Sequence, residues 1–275
     1  MARVTDIVSR SREKPVFMCD FSSPRDPTAD WLGEARNLNA DLFCVPHLAP
    51  HPTRPDAITA AHLIRDNVGT EVVFNLAARD ASKSEVRDRL NNARRLGLEN
   101  VVVLQGDANR GVADAAGTDR FKPTELIAEL KGLGGDFCVG AVADLANGVE
   151  KEADLCRLKV DAGADFFLVQ PTFDIEAVER FLANPGLAVP MFFGVQVLAR
   201  GGIAFAPVPE PLRLQIERGR SGADAAEETM RRFLRLGVYN FYLIAPIYPG
   251  GARDYGLARQ VIDSFEHGAG SAPSV

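Results

Sequence analysis

Eight short apolar runs recur along the chain, and each is rich in β-branched and aromatic residues. They are Val16–Asp20, Leu42–Pro46, Val72–Leu76, Val101–Gln105, Phe137–Val142, Phe166–Gln170, Met191–Val195 and Phe241–Ala245. A run of this length is too short for a buried helix, and its nearly continuous apolarity is typical of a strand that is covered on both faces. The pattern therefore predicts eight strands of a parallel sheet.

Segments with helical periodicity lie between most of these runs. Ser82 and Glu85 have the spacing of a capping box, and Val86, Leu90 and Ala93 follow them on one helical face. Further apolar stripes with this spacing lie within residues 126–133, 178–182, 226–233 and 257–265. Strands that alternate with helices, without a break in composition, predict one (β/α)8 barrel, the TIM-barrel fold, over residues 1–275.

A doubly wound open sheet is the alternative fold. It is less favoured because no GxGxxG motif follows the first run, where a dinucleotide-binding fold would carry one. The first residues predict a short polar lead-in, and we expect a flexible tail from about residue 267. A long loop over residues 199–211 is expected on the rim of the barrel, because it is rich in glycine and proline.

Composition narrows the classes of function. Of the 275 residues, 46% are hydrophobic and 25% are charged, which is ordinary for a globular protein with a sizeable core. The formal net charge of −6 argues against a surface that neutralises nucleic-acid phosphates. No apolar run approaches the roughly 20 residues of a membrane helix, and the polar start lacks the apolar segment of a signal peptide. We therefore expect a cytoplasmic protein that binds neither nucleic acid nor membranes.

The cysteines and histidines do not predict a metal site. None of the four cysteines is in a CxxC pair: Cys19, Cys44, Cys138 and Cys156. They are typical of small buried side chains in a reducing compartment rather than of a disulfide framework. His47 and His51 are close in the sequence, but no third ligand is evident, so no metal is expected.

Polar side chains stand at the predicted carboxyl ends of the strands, where the active site of such a barrel lies. They are Asp20, His47, Asn75, Gln105, Asp107, Asp144, Gln170 and Gln196. Asp20 has apolar sequence neighbours, and an apolar setting favours the neutral form that a general acid needs. Taken singly, each residue is as well explained by a loop cap or a satisfied amide, and Asp20 by an ion pair with Arg25.

Three stretches resemble the methylenetetrahydrofolate reductase family, whose members are flavin-type (β/α)8 barrels of one-carbon metabolism. Residues 20–25 (DFSSPR) resemble the family's EFFPPR, and residues 103–107 (VLQGD) resemble its ALRGD. Residues 158–164 (LKVDAGA), followed by Gln170 and a Phe-Asp pair, are similar to the family's KxDAGA…QxxFD. The order and spacing agree over most of the chain, roughly residues 15–245.

The resemblance implies a hydride transfer that interconverts 5,10-methylenetetrahydrofolate and 5-methyltetrahydrofolate. It places Asp20 where the family has the general acid that opens the imidazolidine ring. It places Asp107 where an aspartate faces the pterin and stabilises the iminium cation. Gln170 takes the place of an amide that binds the pterin. Gln196, another amide at a strand end, is a further candidate for substrate binding.

The implied redox partners are NAD(P)H and FAD, with tetrahydrofolate as the substrate. The flavin contacts are expected from Leu104, Gln105, Asn75 and Lys159. Gln105 stands in place of a family arginine and Asn75 in place of a histidine, which removes hydrogen-bond donors that a flavin diphosphate needs. Whether the protein binds FAD is therefore left open, since a barrel without flavin could pass hydride directly from NAD(P)H to the folate. Asp20 also replaces a glutamate and is one methylene shorter.

Two other functions stay open beside the reductase. The first is a pterin-dependent one-carbon transferase that uses neither flavin nor nicotinamide. The second is a non-catalytic folate-binding subunit, which the altered flavin residues motivate. A homo-oligomer or a complex with a partner protein is compatible with each of these functions.

Overall fold

The computed structural model describes residues 2–11, 14–24, 26, 29–48, 52–106, 119–132 and 137–268. Within them lie β1 (Val16–Asp20), β2 (Leu42–Val45), β3 (Glu71–Ala77), β4 (Asn100–Leu104), β5 (Cys138–Ala143), β6 (Phe166–Val169), β7 (Met191–Gln196) and β8 (Asn240–Ile244). Each strand is parallel to its neighbours, and the sheet closes because β1 pairs with β8, with Val16 opposite Asn240. The predicted (β/α)8 barrel is confirmed, and the open-sheet alternative is wrong.

Helix α1 (Val4–Arg10) precedes β1, and the other helices follow the strands and cover the outside of the barrel. They are α2 (Trp31–Leu38), α3 (Ala57–Val68), α4 (Lys83–Arg95), α5 (Pro123–Gly132), α6 (Val149–Asp161), α7 (Ile175–Leu182), α8 (Glu210–Glu217), α9 (Gly222–Arg235) and α10 (Tyr255–Gly268). The predicted capping box forms at the start of α4, where Oγ of Ser82 accepts from the N–H of Glu85 over 3.3 Å. No helix in the described ranges is long and apolar enough to cross a membrane.

Alternate strand residues point into the barrel and form a core of their own, to which the buried side chains of Met18, Cys44 and Phe166 belong. Gly140 makes room for Phe166. A β-carbon at Gly140 would lie 2.8 Å from Cγ2 of Val102 and closer still to the ring of Phe166. The barrel is therefore packed rather than hollow, so a ligand has to bind at one of its ends.

The N-terminal segment closes one end of the barrel. Val4 of α1 is buried in the interior core, and its N–H donates to Oδ1 of Asn100, at the start of β4, over 3.0 Å. The N–H of Ala2 donates to Oε1 of Glu71, at the start of β3, over 2.8 Å. The lead-in predicted from the sequence is thus a helix that covers the amino-terminal ends of the strands. A ligand site has to lie at the opposite end.

Candidate active site

Asp20 ends β1 at the open, carboxyl-terminal end of the barrel. Its side chain is 6% exposed and forms an ion pair with Arg253, whose side chain is 9% exposed. The ion-pair partner considered from the sequence, Arg25, lies outside the described residues. Asp20 is therefore the anionic member of a buried ion pair, and its setting is more polar than its sequence neighbours predict.

Arg253 comes from the connection between β8 and α10 and is separated from Asp20 by 233 positions. A tight turn brings it back over the barrel. Gly250 and Gly251 have φ of 92° and 91°, a conformation that glycine adopts without strain. After the turn, Arg253 pairs with Ile247 in an antiparallel bridge. The Pro-Gly-Gly turn is visible in the sequence, but the partner of the arginine is not.

The two oxygens of the Asp20 carboxylate have different surroundings. Oδ2 accepts from Nη1 of Arg253, whereas Oδ1 is buried and has no hydrogen-bond partner among the described residues. A buried oxygen in this state has lost its water without gaining a protein donor, which is costly. A donor on a bound ligand would remove this cost.

Tyr242 of β8 is a second polar group in this region that the sequence did not suggest. Burial, and next the negative charge of Asp20, raise the pKa of the Tyr242 hydroxyl well above its usual value. The hydroxyl therefore stays protonated near the carboxylate at neutral pH. A neutral phenol can donate a hydrogen bond to a ligand without adding charge to the site.

A space of about 620 Å³ lies in front of these groups, and we name it the Asp20 cavity. Asp20, Tyr242 and Arg253 supply charged and polar groups to its wall, while Ile203 and Phe205 supply apolar surface. These two apolar side chains are 45% and 52% exposed, which is high for residues of their size. The volume lies within the range of small-molecule sites. The mixture of groups suits a flat heterocycle with a polar edge.

Gln170 lines the same cavity as Asp20. It follows β6 directly, and its backbone N–H donates to the carbonyl of Ala143 over 2.8 Å, which fixes its position against β5. The structure thus brings together two of the residues that the sequence placed on one rim. An amide offers both a donor and an acceptor, and the edge of a pterin needs both.

Gln196 supports the wall of the cavity from behind. Its Nε2 donates to the carbonyl of Ile203 over 2.6 Å, and its Oε1 accepts from the N–H of Phe205 over 2.8 Å. The side chain is buried, and it holds the loop whose apolar residues line the Asp20 cavity. Its predicted direct contact with substrate stays a prediction.

Asp107 lies outside the described residues, so its predicted meeting with Asp20 stays a prediction. The chain is described up to Gly106, where φ is 86° and a β-carbon would collide with the carboxylate of Asp80. Oδ2 of Asp80 in turn lies 3.1 Å from Nε2 of His47. His47 follows β2, Asp80 follows β3 and Gly106 follows β4, so the segments after these three strands contact one another. Asp107 is the next residue in the sequence after Gly106. The other histidine of this segment, His51, also lies outside the described residues.

Lys159, one of the predicted flavin residues, is bound within the protein. Its ammonium donates to the carbonyl of Val142 over 2.6 Å and lies 3.4 Å from Oε1 of Glu152, which is almost completely buried. The resemblance placed this side chain among the flavin contacts. It lines neither the Asp20 cavity nor the smaller cavity beside it.

The other predicted flavin residues are also apart from one another. Asn75 is buried, accepts from Sγ of Cys44 over 3.3 Å and lines a smaller cavity beside the first. Leu104 is half-buried against the interior core, and Gln105 is exposed after the end of β4. Of these four residues, Asn75 lines the smaller cavity, and the other three line neither of these two cavities.

The cysteines are all buried thiols that are not joined in disulfides. Burial raises the pKa of Cys44 far above its usual range, so this thiol stays protonated and is unsuited to nucleophilic attack. Among the described residues, no three or more His, Cys, Asp or Glu side chains are grouped closely enough to hold a metal ion.

A family profile described as "Methylenetetrahydrofolate reductase" matches residues 37–198. This stretch is more than half of the 275-residue chain. The chain belongs to the methylenetetrahydrofolate reductase family. The stretch that matches the methylenetetrahydrofolate reductase profile contains Asn75, Asp107 and Gln170, whereas Asp20 and Arg253 lie outside it.

Curated methylenetetrahydrofolate reductases match parts of the chain at modest identity. The 5,10-methylenetetrahydrofolate reductase of Escherichia coli K12 is 31% identical over 139 residues, which are 48% of this chain and 46% of that protein. The enzyme of Salmonella typhimurium is 26% identical over 201 residues, 65% of this chain and 67% of that protein. The probable methylenetetrahydrofolate reductase (NADPH) of Caenorhabditis elegans is 25% identical over 177 residues, 60% of this chain and 26% of that protein. The chain thus spans less than half of two of these three relatives.

Solved structures share the fold of this methylenetetrahydrofolate reductase family member. Dihydropteroate synthase from Thermus thermophilus has a TM-score of 0.54 and 13% identity, with 94% of this chain and 95% of that chain covered. Phospho-2-dehydro-3-deoxyheptonate aldolase from Thermotoga maritima also has a TM-score of 0.54, at 12% identity, with 94% and 70% covered. At such identities the likeness establishes the barrel alone.

Proposed function

We propose that this chain is a methylenetetrahydrofolate reductase-like oxidoreductase, which interconverts 5,10-methylenetetrahydrofolate and 5-methyltetrahydrofolate. Membership of the family supports the reaction class. The observation that carries the proposal is the Asp20 cavity. Its wall contains Gln170 and the Asp20 carboxylate, whose Oδ1 is buried without a partner in the described ranges. These are two of the three polar groups that the resemblance assigns to the folate.

The reaction moves one hydride and one proton. In the reducing direction, hydride joins the methylene carbon, the bond between that carbon and N10 breaks, and N10 takes up a proton. In the oxidising direction, N10 loses the proton as this bond forms again, and hydride leaves the carbon. The unpartnered oxygen of Asp20 is suited to exchange this proton with N10. A carboxylate beside the iminium form also stabilises its positive charge.

Arg253 is the charged partner of Asp20 in the proposed mechanism. Burial is the largest single influence on the pKa of Arg253 and lowers it, but the charge of and the hydrogen bond to Asp20, together with Tyr255 and Tyr242, raise the pKa overall. Arg253 therefore stays charged and is the ion-pair partner of Asp20. In the oxidising direction Asp20 acts as the base, whereas in the reducing direction it has to gain a proton first.

Gln170 binds and orients the pterin in this proposal, because it lies on the same cavity and its amide can both donate and accept. Asp107, which lies outside the described residues, keeps the role beside the cation that the resemblance implies. Gln196 acts indirectly, because it holds the backbone of Ile203 and Phe205, whose side chains line the Asp20 cavity. The buried, unpaired thiols fit a reducing compartment such as the cytoplasm.

NAD(P)H is the hydride donor of the proposal. FAD fits the described residues poorly, because Lys159 is bound to Val142 and Glu152 while Gln105 lies exposed at the end of β4. A flavin diphosphate needs several convergent donors, and these residues do not supply them. We therefore derive no step through flavin and propose direct hydride transfer between nicotinamide and folate.

The test is an anaerobic assay of the purified chain in both directions. One arm supplies methylenetetrahydrofolate with NADH or NADPH, and the other supplies methyltetrahydrofolate with NAD⁺ or NADP⁺. We expect turnover, and we expect Asp20→Asn to lower kcat by about 100-fold or more, because the amide cannot exchange the proton. Asp144→Asn is the matched control, since Asp144 follows β5 at the same end of the barrel and lines neither cavity.

Two results would contradict the proposal. The first is absence of turnover in both directions by folded protein, with and without added FAD. The second is an Asp20→Asn variant as active as the Asp144→Asn control.

A pterin-dependent one-carbon transferase is the second candidate, favoured by the separation of the predicted flavin residues. It would bind methyltetrahydrofolate but show no dependence on NAD(P)H. A non-catalytic folate-binding subunit would bind the folate and turn it over only after a partner protein is added. The same assay, repeated with a folate-binding measurement, separates these functions.

A further inference from the structure

A second cavity of about 390 Å³ lies beside the Asp20 cavity, and we name it the Arg89 cavity. The two cavities have wall residues in common, among them Ser22, Leu48 and Arg54. The Arg89 cavity reaches from the ends of β2 and β3 towards α3 and α4, and Asn75 lines it on the barrel side. A ligand that extends out of the Asp20 cavity on this side would enter it.

The wall of the Arg89 cavity carries an excess of positive charge. Arg54 and Arg89 line it, while Asp56 is its one acidic residue among those described. The Asp56 carboxylate is already used by the protein. It accepts from the N–H groups of Ile58 and Thr59 over 2.9 and 3.0 Å, and from the Thr59 hydroxyl over 2.9 Å.

The carboxylates nearest to Arg89 along the chain are Asp88, which directly precedes it, and Glu85. Glu85 lies one helical turn before Arg89, but its Oε2 accepts from the N–H and the hydroxyl of Ser82 over 2.7 and 2.8 Å. Asp80 faces His47 and does not line the cavity. The hydrogen bonds from Ser82, and after them the charge of Arg89, lower the pKa of Glu85. Among the described residues no ion pair within 4 Å joins Arg89 to a carboxylate, and Arg89 lines the cavity, where it can meet an anionic ligand.

The first turn of α3 also lines the Arg89 cavity, through Ala57 and Ile58. Its N–H groups are already capped by the Asp56 carboxylate, so the positive charge of the wall comes from the two arginines. Two guanidinium groups beside one space can bind a carboxylate or a phosphate through charge-assisted hydrogen bonds.

We propose that the Arg89 cavity binds the anionic end of a ligand whose reacting end lies beside Asp20. The inference rests on the proposed function for the identity of that ligand. Both reactants carry such a group: tetrahydrofolate has the carboxylates of its glutamyl tail, and NAD(P)H has its phosphates. The shared chemistry is a flexible extension that ends in negative charge.

Binding to four probes under anaerobic conditions tests the proposal and separates the two sources. Tetrahydrofolate is compared with tetrahydropteroate, which lacks the glutamyl carboxylates. NADH is compared with reduced nicotinamide riboside, which lacks the phosphates. Each Kd is measured for the wild-type chain, for Arg89→Gln and for the control Arg87→Gln. Arg87 lies on the same helix, but its guanidinium is held by Glu129 at 2.7 Å, away from the cavity.

We expect Arg89→Gln to weaken one of the two full-length ligands about tenfold, because a charge-assisted hydrogen bond is lost. Its truncated counterpart should bind Arg89→Gln and wild type equally, and Arg87→Gln should bind all probes as wild type does. The responding ligand identifies the source of the anion. Equal binding of all four probes to wild type and Arg89→Gln overturns the proposal, even if the enzyme turns over. A selective loss in a chain without turnover supports this site while it removes the reductase function.

Discussion

Asp20 and Arg253 are both buried, so each depends on the other to balance its charge. Removal of one partner from a buried ion pair leaves an uncompensated charge and costs about 3–5 kcal/mol. We predict that Asp20→Asn and Arg253→Gln each lower the free energy of unfolding by an amount of this order. The double variant should lose less than the sum of the two, which urea unfolding of the three variants would measure.

An exposed ion pair provides the control for this cycle. Arg213 and Glu217 lie one turn apart on α8 at 2.6 Å, with side chains that are 50% and 49% exposed. Arg213→Gln should cost less than about 1 kcal/mol, as exposed pairs do. Strictly additive losses for the Asp20 and Arg253 variants would show that the two side chains are not coupled in solution.

Tyr255 gives the protein a predicted sensitivity to alkaline pH. Its hydroxyl accepts from the N–H of Ser22 over 3.0 Å, and burial raises its pKa from 10.0 to about 12. The stabilising effect of the neutral phenol is therefore complete below pH 10 and is lost as pH rises towards 12, because only the unfolded chain then releases the proton readily. The loss amounts to about 2–3 kcal/mol.

The measurement compares wild type with Tyr255→Phe in urea at about pH 8 and about pH 11. Wild type should be the more stable at the lower pH, because it keeps the hydrogen bond to Ser22, and its advantage should shrink at the higher pH. An advantage that is unchanged between the two pH values would contradict the assignment.

At the scale of the elements, the packing of β5 against β6 depends on Gly140. A β-carbon there would meet the Phe166 ring and Cγ2 of Val102, and neither can move far inside a closed barrel. We predict that Gly140→Ala lowers the free energy of unfolding by about 1–3 kcal/mol. Gly132→Ala is the control, because a β-carbon there meets nothing within 4 Å among the described residues. It should be neutral or stabilise α5 by up to about 1 kcal/mol.

The strands were predictable from the sequence because each is buried on both faces. The eight apolar runs differ from the observed strands by no more than one residue at either end. The N-terminal helix α1 was not predictable in the same way. The segment is polar in composition, and its apolar side chains Val4, Ile7 and Val8 have a core to pack against only once the barrel has formed. That contact is tertiary, and periodicity within seven residues is too short to reveal it.

At the scale of the whole molecule, the separation of the predicted flavin residues has a visible consequence. We predict that the purified chain lacks the yellow absorption of a bound flavin and that added FAD does not raise its turnover with NAD(P)H. The physical reason is the lack of convergent donors for a flavin diphosphate in the described residues. A yellow protein that loses activity when its flavin is removed would show that this inference is wrong.

The candidate site was predictable in part. Asp20 and Gln170 could be identified because the carboxyl ends of parallel strands meet at one end of a barrel, whatever their separation in sequence. Arg253 could not, because a turn between β8 and α10 decides which side chain faces Asp20. Gln196 was placed at the correct end, but the direction of its amide depends on the loop backbone that it binds.

Helix α1 closes the amino-terminal end of the barrel and the interior is packed, so the reactants of the proposed reaction would have to enter at the opposite end. If folate and nicotinamide occupy that end together, the one that binds deeper has to bind first and leave last. We therefore expect ordered binding, and product-inhibition patterns would show which of the two binds first.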